Sequence, residues 1–286
     1  MASAPSSTEA GAAPRPWRPG ALLVGSAFLH GAGLAAAVLE PRLRPAVAAL
    51  LIADHALLMG SGLWPTSRVY GPNLSRLDEG VAEPGGPCRV ALTFDDGPDP
   101  EVTPRVLDLL DRRGGNGAGP ARATFFCVGE RVRRHPDLAA EIARRGHRVE
   151  NHTHRHLKRF AVLGPRAMAR EIDRAQGAIA EVTGRAPRLV RPPAGFRNPF
   201  LDPLLARRGL WLVSWTRRAY DTVRSDPRRV VRDLTRGVEG GEILLLHDGG
   251  AARTRSGRPV VLEALPRVLD HLAAAGLQAV PVEAPG

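Results

Sequence analysis

From Pro87 onward, short β-rich runs alternate with helical stretches, and this constrains the fold more than any other feature of the chain. Strands are read at Arg89–Phe94, Ala123–Val128, Arg148–Asn151, Arg188–Val190, Leu210–Ser214, Ile243–Leu246 and Ala279–Val282. Helices fill the gaps near Pro104–Arg113, Pro136–Arg145, Pro165–Val182 and Val261–Ala275. The third of these carries Met168, Ile172, Ala175 and Ile179 on one face, the spacing of a helix with a buried side. Strands joined by crossovers pair in parallel, so about seven of them predict an α/β fold with a parallel sheet, open or closed into a barrel. Gly114–Pro120 reads as a flexible loop.

The front of the chain has a different texture. Residues 1–19 are small, polar and proline-containing, the composition of a disordered tail. Gly20–Leu39 then runs without a formal charge, Glu40-Pro-Arg-Leu-Arg-Pro45 interrupts it, and Ala46–Trp64 is a second apolar stretch. At a rise of about 1.5 Å per residue, each is long enough to cross a bilayer. Residues 20–65 are therefore expected to form a two-helix transmembrane hairpin, which points to a bacterial inner membrane. Asp54, in mid-span, favours the alternative of two buried helices in an amino-terminal subdomain, because an intramembrane carboxylate is costly. A cleaved signal peptide fits less well, since no short apolar region ends in a cleavage site. Residues 66–86 read as a linker to a catalytic domain over 87–286.

A hairpin puts the tail and the domain on one side of the membrane. Arg15, Arg18, Arg68 and Arg76 flank that side, against Arg42 and Arg44 in the turn, a bias towards a cytoplasmic domain. An extracytoplasmic glycan substrate would need the opposite, and both placements stay open.

The formal net charge is +11, almost all of it arginine, with Lys158 the only lysine. The arginines are scattered over helix surfaces without interleaved aromatics, which argues against nucleic acid as a partner. An anionic membrane or glycan surface suits the charge better. Cys88 and Cys127 sit at opposite ends of neighbouring strands, about 15 Å apart at ~3.3 Å per residue, so both are expected to be free.

Chemistry-bearing residues fall just after strands: Asp95 and Asp96 after the first, His152 and His156 after the third, Arg191 after the fourth, Asp221 after the fifth and His247 after the sixth. In a βα-barrel those strand ends form one rim, where active sites sit. Asp95 and Asp96 could bind a metal with one carboxylate and leave the other as a base; a plain Asp-Gly-Pro turn is the alternative. His152 and His156 are four apart, so one helical turn could aim both at one ion. Two imidazoles and a carboxylate leave coordination positions open for water and substrate. His154 would point elsewhere, as a supporting or surface residue. Arg191 could hold a neighbouring carboxylate ionised, and His247 could give a proton to a leaving amine.

Four motifs then carry a resemblance. Thr93-Phe-Asp-Asp-Gly-Pro98, His152-Thr-x-x-His156, Arg191-Pro-Pro-Ala-Gly195 and Leu244-Leu-Leu-His-Asp248 resemble, in order, those of the polysaccharide deacetylase family, the NodB-homology domain, over about Cys88 to Pro281. The resemblance implies a distorted (β/α) barrel that hydrolyses the N-acetyl group of a sugar with metal-activated water. Asp96, His152 and His156 would hold a divalent metal, Zn2+ or else Co2+ or another transition metal. Asp95 would be the general base, Arg191 its orienting partner and His247 the general acid, with Asp221 beside it. Trp215 and Asp221 stand in the region of the family's Asp–Trp motif but six apart. Leu246 would line the acetyl pocket, and Ala194 and Gly195 would meet the substrate, Ala194 through its amide. The implied substrate is an N-acetylated sugar polymer or a lipid-linked sugar. A deformylase or other amidohydrolase on a lipid-linked sugar would use the same residues, and a non-catalytic carbohydrate-binding relative would share the fold.

Overall fold

The structure is a computed structural model that describes residues 13–77, 88–112 and 120–285. Two long helices, α1 (Ala21–Leu39) and α2 (Arg44–Leu63), come first. The alternating series follows: β1 (Cys88–Asp95), α3 (Thr103–Arg112), β2 (Thr124–Cys127), α4 (Gly129–Arg134), α5 (Pro136–Arg144) and β3 (Arg148–Asn151). It continues with α6 (Pro165–Thr183), β4 (Leu189–Val190), α7 (Leu201–Ala206), β5 (Trp211–Leu212) and β6 (Arg217–Arg218). It closes with α8 (Pro227–Thr235), β7 (Ile243–His247), α9 (Val260–Ala274) and β8 (Leu277–Val280). Residues 1–12 of the expected tail, 78–86 of the expected linker and 114–119 of the glycine-rich loop lie outside the described residues.

Every named strand pairing is parallel, in the order β5-β4-β3-β2-β1-β7-β6, with β8 beside the first half of β1. The architecture is the distorted (β/α) barrel that the motifs implied. It has one strand more than the periodicity suggested, because Arg217–Arg218 is too short and too charged to read as one. The two end strands do not meet. Leu74 bridges to Val213 after β5, and Arg76 bridges to Glu242 before β7, so the stretch ahead of β1 lies across the gap.

Alternation along the central strands sorts side chains into two environments. Val90, Leu92 and Phe94 of β1 and Leu244 and Leu246 of β7 join the large core beneath the helices. Ala91, Ile243 and Leu245 turn inward, where they meet Phe126, Leu189, Val213 and Trp215. The inner cluster is small, and the upper half of the barrel interior is left to Thr93, Asp95, Arg191 and His247.

The two leading helices are long and apolar enough to cross a membrane, and little of either is covered by protein. Phe28, Leu34, Ile52 and Met59 all present exposed apolar surface, so these are not the buried helices of a subdomain. Asp54 is answered across the helix pair: the Ser26 hydroxyl donates to Oδ2 at 2.7 Å, and His30 stands 3.9 Å away. The described end of the expected tail is anchored. Arg15 donates to the Ala206 and Leu210 carbonyls and stacks on Trp211, and Trp17 donates to the Tyr70 carbonyl.

Candidate active site

At the carboxyl end of β1 the chain turns sharply, and Asp96 takes a left-handed backbone with φ 72°. The turn sends two adjacent carboxylates to different partners. Asp95 points into the barrel, where Oδ1 accepts from Arg191 at 2.7 Å. Asp96 points across the rim, its Oδ1 lying 3.1 Å from His152 Nε2 and 3.0 Å from His156 Nε2.

The two histidines do not share a helical turn, as their spacing suggested. They lie on a loop after β3 in which Thr153 (φ 64°) and His156 (φ 50°) are left-handed. Asn151 holds this loop: its amide donates to the Ile172 carbonyl and to Gln176, and its oxygen accepts from Thr153 N. The loop's carbonyls at 153 and 154 accept the first amides of α4. His154 is buried on the far side, against Gly129 and Ala175. It is thus not a surface residue, and it is not among the three converging groups.

Whether Asp96, His152 and His156 suit a cation follows from their protons. His152 Nδ1 lies 2.7 Å from the Arg191 carbonyl, which can only accept, so the neutral ring carries its lone pair on Nε2. That lone pair faces Asp96 Oδ1, which is buried and accepts no hydrogen bond. Burial and the nearby His152 push His156 below its ordinary value, which keeps its own lone pair available. Burial alone would raise Asp96, but the adjacent imidazoles outweigh it and hold the carboxyl well below the usual range. Burial opposes charge on His152, but Asp95 and Asp96 draw positive charge to this point and raise it. With both histidines neutral, three lone pairs converge there, so the donor set fits a divalent ion in place of a proton.

The opposite wall is hydrogen-bonded throughout. Arg191 is fully buried, donates to Thr93 Oγ1 (2.9 Å), Asp95 Oδ1 and the Ser214 carbonyl (2.8 Å), and stacks 4.1 Å over Phe126. His247, at the end of β7, donates from Nδ1 to Asp221 Oδ1 at 2.8 Å, while Asp221 Oδ2 accepts the His247 amide. Burial pulls the His247 pKa down, but the Asp221 hydrogen bond and the charges of Asp221, Asp95 and Asp96 carry it above the ordinary histidine value. Asp221 follows β6 rather than the fifth strand, and the left-handed Tyr220 before it (φ 56°) swings it back under His247.

A pocket of about 710 Å³ lies between these walls, lined by Asp95, Asp96, His152, His156, Ala194, Trp215 and His247 together with Lys158, Phe196 and Arg218. Gly195 (φ 72°) backs Trp215: a Cβ there would stand 2.6 Å from the indole ring. Leu246 is not in the pocket. On a strand its side chain must face opposite to His247, and it joins the core under the helices, while Leu245 lines the pocket. Leu245, Phe196 and Arg218 carried no signal in the sequence, whereas Lys158, two residues past His156, was marked only by its rarity. Among the described residues the non-glycine positions with left-handed backbone are Asp96, Thr153, His156, Ala194 and Tyr220, every one at this site or next to it. Strained backbone gathers where side chains must be aimed. The cysteines, as expected, are free.

Comparison with known proteins follows the same lines. The sequence model of a family described as polysaccharide deacetylase matches residues 82–211. A peptidoglycan-N-acetylglucosamine deacetylase of Bacillus cereus is 34% identical over 195 residues, 68% of this chain and 85% of the relative. A chitooligosaccharide deacetylase of a Bradyrhizobium species is 35% identical over 165 residues, 57% of this chain and 72% of the relative. Among solved structures, a family 4 carbohydrate esterase from Streptomyces lividans in complex with acetate superposes with a TM-score of 0.59 at 33% identity, covering 67% of this chain and 91% of that one.

Proposed function

The chain belongs to the polysaccharide deacetylase family, and from that premise we propose that it is a metal-dependent hydrolase removing the N-acetyl group from an amino-sugar glycan or glycolipid. The observation that carries this reading is the facing of two walls across one pocket. One is a cation-fitting set (Asp96, His152, His156), and the other supplies a base and an acid.

A divalent ion such as Zn2+ held by Asp96, His152 and His156 supplies Lewis-acid polarisation and a water of lowered pKa. Asp95 is left out of the ligand set, and its second oxygen faces the pocket to take the proton of the attacking water. Arg191 gives Asp95 a buried counter-charge and fixes its direction, because every other group the guanidinium touches is neutral. Ala194 lines the same pocket, and its backbone amide would meet the developing oxyanion. His247 gives its proton to the departing nitrogen. Its raised pKa keeps it charged to higher pH than a free histidine, and Asp221 fixes Nδ1 so that Nε2 is the nitrogen presented. Leu245 and Trp215 form an apolar floor that suits an acetyl methyl group.

The leading helices we read as a membrane hairpin that tethers the barrel. The test of the whole reading is product analysis with metal-loaded protein on chitooligosaccharide, peptidoglycan and lipid-linked amino sugar. Free acetate supports it, formate would move it to a deformylase, and no product from any of them would leave a binding protein.

A further inference from the structure

The hairpin and the pocket are neighbours. The Arg197 amide donates to the Gly62 carbonyl at 3.1 Å, and any side chain at Gly62 would strike the Arg197 carbonyl. The Arg197 guanidinium reaches back to the Ser67 carbonyl, and Pro65 packs beside Gly195. The last turn of α2 is thereby keyed into the loop whose Ala194 and Phe196 line the pocket.

A second observation concerns apolar surface. Among the described residues outside the hairpin, the exposed large hydrophobic side chains are Trp64, Val162, Phe200, Tyr220 and Val223. Trp64 follows the last residue of α2, and the other four lie on the loops after β3, β4 and β6, at the carboxyl ends of the strands. Single exposed apolar residues are ordinary, but their confinement to one rim is not. Trp64 at the end of a membrane-length helix is also where an interfacial aromatic sits.

The third observation is charge. Lys158 and Arg218 line the pocket apart from the metal set, and Arg218 Nε is buried with no hydrogen-bond partner. Arg159 adds another exposed cation beside Lys158. These donors match a phosphate next to the sugar, and basic residues on an apolar rim match an anionic bilayer.

We propose that this rim rests on the membrane from which the hairpin emerges, and that the pocket takes an amino sugar joined through phosphate to a membrane lipid. The proposal rests on the deacetylase reading and narrows its substrate. A lipid-linked sugar can be met at either face of a bilayer, so the arginine bias towards a cytoplasmic domain no longer conflicts with the chemistry.

The experiment uses the full, metal-loaded chain reconstituted in phosphatidylglycerol-containing vesicles that carry N-acetylglucosaminyl-phosphoryl-polyprenol, with soluble chitotetraose as the comparison. Acetate release from the vesicle-borne lipid is expected to be at least about tenfold more efficient than from chitotetraose. Phe200→Ser with Val223→Ser is expected to remove about tenfold of the vesicle rate and to leave chitotetraose hydrolysis unchanged, since both side chains are exposed and outside the pocket. Chitotetraose turned over as well as the lipid, or a double variant unaltered on vesicles, would overturn the membrane-held substrate while leaving the deacetylase intact. Acetate from neither substrate would overturn the deacetylase reading and this proposal with it.

Discussion

The two walls of the pocket solve the problem of buried polarity in opposite ways. On the Arg191 and His247 side, each side chain proposed to be catalytic has its partner in the chain itself: Asp95 has Arg191, and His247 has Asp221. On the Asp96 side, an oxygen and two nitrogens converge on one point, held by backbone that is itself left-handed at Asp96 and His156. The first wall is complete when the chain folds. On the proposed function, the second would become favourable with a cation among its donors, and metal binding would offset the strain of its backbone.

Loss of a ligand should have the largest effect. His152→Ala or Asp96→Ala is expected to abolish both bound metal, measured by elemental analysis, and acetate release. A variant that turns over normally without metal would mean that the two walls do not differ in this way.

Asp221→Asn tests the other wall. It should lower kcat by about 10²–10⁴-fold, the range for misorienting a general acid, with metal content unchanged. The sign of the pH effect follows from the raised pKa of His247. The protonated acid is present below that pKa and is lost as pH rises through it, so removing Asp221 moves the alkaline limb to lower pH. An alkaline limb that stays in place would assign it to another group.

Arg191→Met leaves Asp95 buried without its counter-charge and should destabilise the fold by roughly 3–5 kcal/mol in denaturant titration. Loss of metal with unchanged stability would reverse the roles given to the two walls.

Smaller effects separate the faces of β7. Leu246→Ala should cost about 2–5 kcal/mol of stability with KM unchanged, because its side chain fills the core under the helices. Leu245→Ala should also raise KM, because it lines the pocket. Chelation should likewise stop acetate release. Relative to protein with metal at about 100 Kd, it is expected to lower stability by about 3 kcal/mol and to raise hydrogen exchange in the 152–156 loop before the Asp221–His247 pair.

Residue types and their order in the chain determined much by themselves. Strands joined by helical crossovers favour parallel pairing, and polar residues placed just after such parallel strands meet at one rim. Asp95, Asp96, His152, His156, Arg191 and His247 were therefore legible together, as was the pair of apolar helices. What the tertiary structure alone decided is direction. Ile243-Leu-Leu-Leu-His247 is apolar on both faces and has no alternation from which to tell that Leu245, not Leu246, turns to the pocket. A four-residue histidine spacing resembles a helical turn, and only the Asn151 and α4 hydrogen bonds hold it in a loop. Trp215 and Asp221 stand six apart in sequence, and Asp221 meets His247 only because β6 and Tyr220 fold the chain back. Composition and period report what a segment prefers along its own length, whereas the aim of a side chain depends on packing and hydrogen bonds from residues far away in sequence.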